Sequence, residues 1–186
     1  MAAQQYQAKV YKLLVRIFGQ ERVRSEWNIR GDAADKFKNP ATYAPRVDIA
    51  VGPFNLTADS VGHDVHKILE ANGHRLMQEM IATIQTQNND YFIENKNPRC
   101  LLAIEIEFSG SSKHILGDIT NASMMGLVGV VIGPSKSIRK IERVSQYVRL
   151  LRSVKKAPPD LFANVACFEA KHFVKLLEKH LPKAMK

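Results

Sequence analysis

Apolar residues recur every three or four positions in several parts of the chain, which is the spacing of a helix that buries one face. Residues 4–19 follow this pattern and predict an amphipathic helix capped by Gly19. Residues 59–86 follow it again, and an Asn-Gly pair inside the stretch leaves one broken helix or two helices open. Between them, residues 21–29 fit a short helix or a strand, and the polar residues 31–44 predict a loop.

Other segments are continuous apolar or β-branched runs, which are typical of buried strands. They occupy residues 45–52, 100–109, 126–133 and 164–170. From residue 100 onward each run is followed by a helical pattern, so strand and helix alternate three times. This alternation predicts a mixed or parallel α/β sheet with helices on its faces. The length of 186 residues fits a single domain over residues 1–186.

The charge of the chain is strongly positive and unevenly distributed. There are 27 Lys and Arg against 18 Asp and Glu, a net charge of +9. Residues 136–156 hold eight of the basic residues and one acidic residue on a predicted helix. Such a stripe suits a polyanion and favours nucleic acid, although a solvated helix face that aids solubility would have the same composition. The glycine-containing end of the strand before it places Ser135 and Lys136 where a helix start can contact phosphate.

Two glutamates interrupt the apolar strand at residues 100–109. Glu105 and Glu107 are two positions apart, so they leave a strand on the same face. Asp48 is likewise the one charged residue inside the apolar run that follows Arg46. Buried carboxylates need a cation, a basic partner or solvent, because unpaired burial costs several kcal/mol for each.

Three carboxylates from neighbouring strands form an oxygen-rich site suited to a hard ion such as Mg²⁺. A bound ion of this kind activates water and neutralises charge on a phosphate. Lys113, just beyond the strand, is a candidate to stabilise the same charge, and His114 is a candidate for proton transfer. The alternatives are a solvent-exposed Glu-x-Glu pair bridged to Lys or Arg, an Asp48–Arg46 pair and an ordinary helix-start lysine.

The segments "PRVDIAVG", "LLAIEIEFSGSSKHILGDITNA" and "GLVGVVIG" together resemble the core of the PD-(D/E)XK nuclease superfamily, the restriction-endonuclease-like fold. That family has a helix, three strands, a helix and a further strand, with an Asp on one strand and (D/E)-x-K on the next. On this pattern Asp48 matches the first acid and Glu105 the second. Glu107 stands where the family usually has Lys, as in its Glu-x-Glu variants. A helix glutamate of the family is matched weakly by Glu26 or Glu21.

The resemblance implies a mixed sheet flanked by helices, with a helical insertion over about residues 55–95. It implies a Mg²⁺-dependent DNA endonuclease that hydrolyses phosphodiester bonds, with Mn²⁺ able to substitute. Asp48, Glu105, Glu107 and the Ile106 carbonyl would hold the metal, and Lys113 would stabilise charge on the phosphate. The residues expected to bind the DNA backbone are Ser135, Lys136, Arg139, Lys140 and Arg143.

Two other functions are compatible with the same residues. The first is a non-catalytic DNA-binding or assembly module on the same fold, which the missing motif lysine favours. The second is a basic scaffold protein within a larger nucleoprotein complex. A homodimer is expected by analogy, because cutting both strands usually takes two active sites. With no apolar run near the ~20 residues of a membrane span and no secretory signal, a soluble cytoplasmic protein is expected.

Overall fold

The computed structural model describes residues 2–28, 45–54, 74–89 and 91–182. The predicted loop at 31–44 lies outside these ranges, as does the first part of the predicted insertion, 55–73. The elements in chain order are helix α1 (Ala3–Phe18), a 3₁₀ turn (Gln20–Arg22), strands β1 (Val23–Asn28) and β2 (Arg46–Val51), helix α2 (His74–Gln87), strand β3 (Cys100–Ile106), helix α3 (Ser112–Met125), strand β4 (Gly126–Gly133), helix α4 (Ser135–Ser153), strand β5 (Val165–Glu169) and helix α5 (Ala170–Lys179).

The hydrophobic pattern predicted the elements of the described ranges well. Helix α1 ends at Gly19, whose N–H bonds to the Val15 carbonyl, as the glycine cap predicts. The segment that fitted either a helix or a strand is strand β1, because pairing with β2 buries Val23 and Trp27. The strand predicted over residues 100–109 ends at Ile106, three residues earlier than predicted.

The five strands form one mixed sheet in the order β1-β2-β3-β4-β5. β1, β2 and β3 are antiparallel neighbours, whereas β3, β4 and β5 run parallel. The two parallel connections are made by α3 and α4, as expected for crossovers that need a helix. The predicted mixed α/β sheet is therefore confirmed.

Helices cover both faces of this sheet. Helices α1, α2 and α5 pack on one face in the largest apolar cluster, which contains Leu14, Met80 and Phe173 together with Ile104 and Val130 of the sheet. Helices α3 and α4 pack on the other face in a second cluster built around Ile119, Val131 and Ile141. Helix α2 therefore belongs to the core of the domain.

A glycine allows α3 to lie close to the sheet. A Cβ on Gly129 of β4 would stand 2.8 Å from the backbone carbonyl atoms of Ala122, so only glycine fits there. This close approach brings the polar side of α3 against the end of β3. Among the helices of the described ranges, none has both the length and the apolar character needed to cross a membrane.

Candidate functional site

Asp48 and Glu105 lie opposite each other on adjacent antiparallel strands. Ile49 of β2 pairs with Ile104 of β3, so one step further along the ladder places Asp48 beside Glu105. The Asp48 N–H donates to Glu105 Oε2 at 3.3 Å, and Asp48 Oδ2 accepts the Ile106 N–H at 2.8 Å. The two carboxylates that the sequence pattern singled out thus each accept a main-chain N–H of the opposite strand at the carboxyl end of β3, Glu105 from Asp48 and Asp48 from Ile106.

Helix α3 adds two polar residues that the sequence reasoning missed. Asn121 Nδ2 donates to Glu105 Oε1 at 3.1 Å and lies 3.4 Å from the Arg46 carbonyl oxygen. Asp118, one helical turn earlier, shares a side-chain hydrogen bond with Glu107. Their separation of three residues places them on one side of the helix, but this spacing does not indicate that this side faces the sheet.

Glu107 closes the turn that follows β3. Its Oε1 accepts the Ser109 N–H at 2.5 Å, the Ser109 hydroxyl at 2.6 Å and the Gly110 N–H at 2.9 Å. Gly110 has φ +75°, a conformation that glycine adopts without strain. These three bonds explain why the strand ends at Ile106, since the Glu107 carboxylate replaces the sheet as the partner of the next main-chain N–H groups.

The acidic residues of the site have shifted pKa values with distinct causes. Burial, then repulsion from Asp48, raises the pKa of Glu105 to about 9. Burial, then the charge and hydrogen bond of Glu107, raises the pKa of Asp118 to about 7. Burial is also the main reason why the pKa of Asp48 lies above its ordinary value. Burial alone would raise the pKa of Glu107, but the hydrogen bonds from Ser109, Gly110 and Asp118 outweigh it and lower that pKa.

The glutamate weakly matched to the family pattern also lies at this site. Glu26 follows Ser25, the partner of Ile49, so it stands next to Asp48 on the outer strand β1. Its carboxylate accepts a hydrogen bond from Gln7 at 2.8 Å and pairs with Arg46 at 3.3 Å. Its φ of +49° is unusual for a residue with a side chain, and such strain concentrates at functional sites. Arg46 therefore forms its ion pair with Glu26, and it acts on Asp48 only through its charge, which tends to lower the pKa of Asp48.

The expected set of metal ligands is only partly brought together. Asp48 and Glu105 are adjacent, and the Ile106 residue whose carbonyl was expected to join them donates its N–H to Asp48. Glu107 is directed instead to the turn and to Asp118. As the side chains stand, the described part of the chain holds no group of three or more His, Cys, Asp or Glu residues placed to bind one metal ion.

The basic residues predicted to meet a phosphate are exposed near the same end of the sheet. Lys113 lies in the first turn of α3, and His114 Nδ1 is 3.4 Å from the Ser109 hydroxyl. Lys140 of α4 donates to the Gly110 carbonyl, so it reaches the turn that Glu107 closes. Ser135 donates to Glu169 at the end of β5, and Lys136, Arg139 and Arg143 are exposed on α4.

Comparison with known proteins returned no match to a protein-family model, to a curated protein or to a solved structure. What the site is used for therefore has to be argued from its residues. Those residues form a row of carboxylates across β1, β2 and β3, supported by polar groups of α3 and bordered by cationic side chains.

Proposed function

We propose that the protein is a metal-dependent DNA endonuclease that hydrolyses phosphodiester bonds at the carboxylate site. The observation that carries the proposal is the pairing of Asp48 with Glu105 at the carboxyl end of β3. Burial raises both pKa values, and the charge of Asp48 raises that of Glu105 further. A divalent cation between two such carboxylates would stabilise their ionised forms. The charge of Arg46 partly offsets that of Asp48, but Arg46 forms its ion pair with Glu26 and leaves the pKa of Asp48 raised.

The donor set fits Mg²⁺ better than a softer or larger ion. Mg²⁺ prefers oxygen ligands and is typically held by one or two carboxylates, with waters and substrate phosphates completing its shell. Asp48 and Glu105 would supply those carboxylates, and a small rotation at the end of β3 would add the Ile106 carbonyl. This requirement is compatible with the absence of a three-residue ligand group among the described residues. Mn²⁺ takes the same ligands and is expected to substitute.

The side chains around the pair then have separate tasks. When bound, the metal would lower the pKa of a coordinated water and offset charge on the phosphate. Asn121 holds the Glu105 carboxylate in place, and Glu107, fixed by the turn, would orient the attacking water. Lys140 and Lys113 would place positive charge near the phosphate. The charge of α4 would hold the DNA backbone through Lys136, Arg139 and Arg143.

The order of elements supports a restriction-endonuclease-like identity for the domain. A helix, three antiparallel strands, a crossover helix and a parallel strand follow one another from α1 to β4, with α2 inserted between β2 and β3. The two acids of the family pattern fall on the second and third strands of this order. The agreement concerns the order of the elements and the positions of the two acids. At the position of the motif lysine this chain has Glu107.

A second candidate is a non-catalytic DNA-binding or assembly module on the same fold. The direction of Glu107 towards Ser109 and Asp118 favours it, because the third expected ligand is engaged elsewhere. Such a module would keep the cationic helix α4 and bind DNA without cutting it.

Incubation of supercoiled plasmid with purified protein separates the two candidates. With Mg²⁺ or Mn²⁺ the wild type is expected to nick the DNA, and Glu105→Gln is expected to lose more than the roughly 10–100-fold that second-shell changes cost. Glu94→Gln, at an exposed glutamate away from the site, is the matched control and should cut like the wild type. Intact plasmid with either metal, together with DNA binding that Glu105→Gln leaves unchanged, would favour the non-catalytic module.

A further inference from the structure

Helix α4 and its C-cap residue Val154 carry one continuous exposed stripe, which is cationic in its first half and apolar in its second half. Its members recur at alternating spacings of four and three residues, which places them on one side of the helix. All six are exposed, and we call them the α4 stripe: Lys136, Lys140, Arg143, Tyr147, Leu150 and Val154. The first three are cations, whereas Tyr147, Leu150 and Val154 are 61%, 57% and 53% exposed.

The second half of α4 also contains basic residues, but they do not lie on the stripe. Arg149 donates to the Ser145 hydroxyl at 3.2 Å, and Arg152 donates to Asn88 Oδ1 at 3.2 Å while it lies over the Tyr91 ring. Both guanidinium groups are thereby drawn to other sides of α4. The side left to solvent presents an aromatic ring and two aliphatic side chains, which no solubility role explains.

The stripe begins at the carboxylate site. Lys140 donates one hydrogen bond to the Gly110 carbonyl, in the turn that Glu107 closes, and an ammonium group has three donors. Its remaining N–H groups are free to contact phosphate oxygens beside the site. From residue 136 to residue 154 the helix rise gives a stripe of about 27 Å, at roughly 1.5 Å per residue.

We infer that the α4 stripe binds a single-stranded stretch of DNA that leads into the carboxylate site. The inference rests on the proposed nuclease function for its substrate class. The cationic half would hold phosphates, and Tyr147 would stack on an unpaired base, with Leu150 against the neighbouring base or sugar. A duplex meets a helix with phosphates and groove edges and keeps its base faces stacked inside. Only a single strand therefore exposes base faces on which the Tyr147 ring can stack.

The dimensions and charges fit this occupant. A track of about 27 Å holds on the order of four nucleotides, the lower end of the roughly 4–16 that single-strand-binding folds cover. A protein partner would account for the apolar half, but it would leave unexplained why cations continue the same side of the helix to the turn at Gly110. A second copy of the chain would likewise account for the apolar half and leave the cations Lys136, Lys140 and Arg143 unexplained.

The test compares the binding of a fluorescent oligothymidine 12-mer with that of a 12-base-pair duplex. All variants carry Glu105→Gln, so that no cleavage occurs. Tyr147→Ala is expected to weaken single-strand binding by about 5- to 150-fold, since stacking on one aromatic side chain is worth roughly 1–3 kcal/mol per base. Tyr147→Phe keeps the ring and should bind like the parent. Leu116→Ala, at an exposed apolar residue of α3, is the matched control.

Each outcome supports or overturns the inference. A loss confined to the single strand and to Tyr147→Ala supports it. Equal single-strand binding by Tyr147→Ala and its parent overturns it, as does a loss that is the same for single strand and duplex. Sedimentation that shows a dimer dissociated by Tyr147→Ala would assign the stripe to self-association instead. Wild-type protein that binds the single strand through Tyr147, yet with Mg²⁺ or Mn²⁺ cuts neither plasmid nor the oligothymidine, would refute the nuclease function. The binding inference for the α4 stripe would still hold.

Discussion

At the scale of single residues, the site is defined by how Glu105 is surrounded. Its side chain is only 5% exposed, and its hydrogen bonds come from the Asp48 N–H and the Asn121 amide. These neutral donors partly compensate burial, but they do not remove the repulsion from Asp48 that helps to raise the pKa of Glu105. The residue is thus poised to be neutral in the free protein and ionised next to a cation.

This arrangement predicts how the stability of the metal-free protein depends on pH. Because folding raises the pKa of Glu105 from about 4.5 to about 9, the native state holds a proton that the unfolded chain releases. The stability contributed by Glu105 is complete below pH 4.5 and is lost as the pH rises towards 9. Glu105→Gln keeps the hydrogen-bonding shape and has no proton to lose.

We therefore expect Glu105→Gln to melt above the wild type at pH 8 in the presence of a chelator, and close to it at pH 5. The expected gain is a few kcal/mol, because the change in pKa corresponds to at most roughly 5 kcal/mol at pH 8, and each kcal/mol raises the melting temperature by about 2–4 °C for a chain of this size. Circular dichroism melting curves at the two pH values measure it, with Glu94→Gln as the control. A variant that melts below the wild type at pH 8 would show that the Glu105 carboxylate stabilises the free fold.

Sequence reasoning found some site residues and missed others for a physical reason. Asp48 and Glu105 interrupt apolar strand runs, where a charge is conspicuous because its neighbours are buried. Asp118 and Asn121 lie on a helix with many polar positions, and nothing local indicates which of these face the sheet. Their place depends on the close contact of Ala122 with Gly129, which the sequence alone does not disclose.

At the scale of elements, the exposed edge of β5 is closed by a side chain. Gln87 at the end of α2 donates to the Cys167 carbonyl at 2.6 Å and accepts the Cys167 N–H at 2.9 Å. One amide thus takes the place of a neighbouring strand, which protects the edge from pairing with another chain. The contact also fixes the end of α2 to the middle of β5.

Removal of this amide should cost stability. Gln87→Ala leaves the buried main-chain groups of Cys167 without their partner, so we expect a loss of about 1–3 kcal/mol in the free energy of unfolding. Urea denaturation measures it, and Gln146→Ala at an exposed position of α4 is the control. A loss no larger than that of the control would mean that solvent satisfies this edge.

The elements themselves were predictable where the local pattern was strong. β4, a continuous apolar run, and α1, a regular amphipathic stretch with a glycine cap, were predicted within a residue. β1 was ambiguous because it alternates weakly and is stabilised by pairing with β2. The end of β3 was predicted too late because a hydrophobic pattern carries no information on the hydrogen bonds that Ser109 and Gly110 donate to Glu107.

At the scale of the whole molecule, opposite charges are arranged around one end of the sheet. The carboxylates of β2 and β3 lie near Asp118 and Asn121 of α3, and the turn at Gly110 that follows β3 contacts α4. Lys113, Lys136 and Lys140 are exposed on the first two turns of these helices. In the proposed function, a polyanion would be attracted to the cationic border, and its phosphate would approach the carboxylates with a cation between them.

The strand order, unlike the elements, could not be derived from the sequence. The predicted mixed or parallel sheet left open which strands pair, and the ladder between β2 and β3 joins residues more than fifty positions apart. Long-range pairing of this kind depends on the complete set of packed faces. The resemblance to the restriction-endonuclease-like core supplied the expectation that Asp48 and Glu105 lie together, and the ladder places them side by side.

The most direct test of the account is the binding of Mn²⁺ to the purified protein, followed by electron paramagnetic resonance or calorimetry. The wild type is expected to bind Mn²⁺ with an affinity that Asp48→Asn or Glu105→Gln lowers by more than tenfold, while Asp160→Asn at an exposed aspartate leaves it unchanged. Mn²⁺ binding that is absent from the wild type, or equally strong in Asp48→Asn, would contradict a divalent cation site between Asp48 and Glu105.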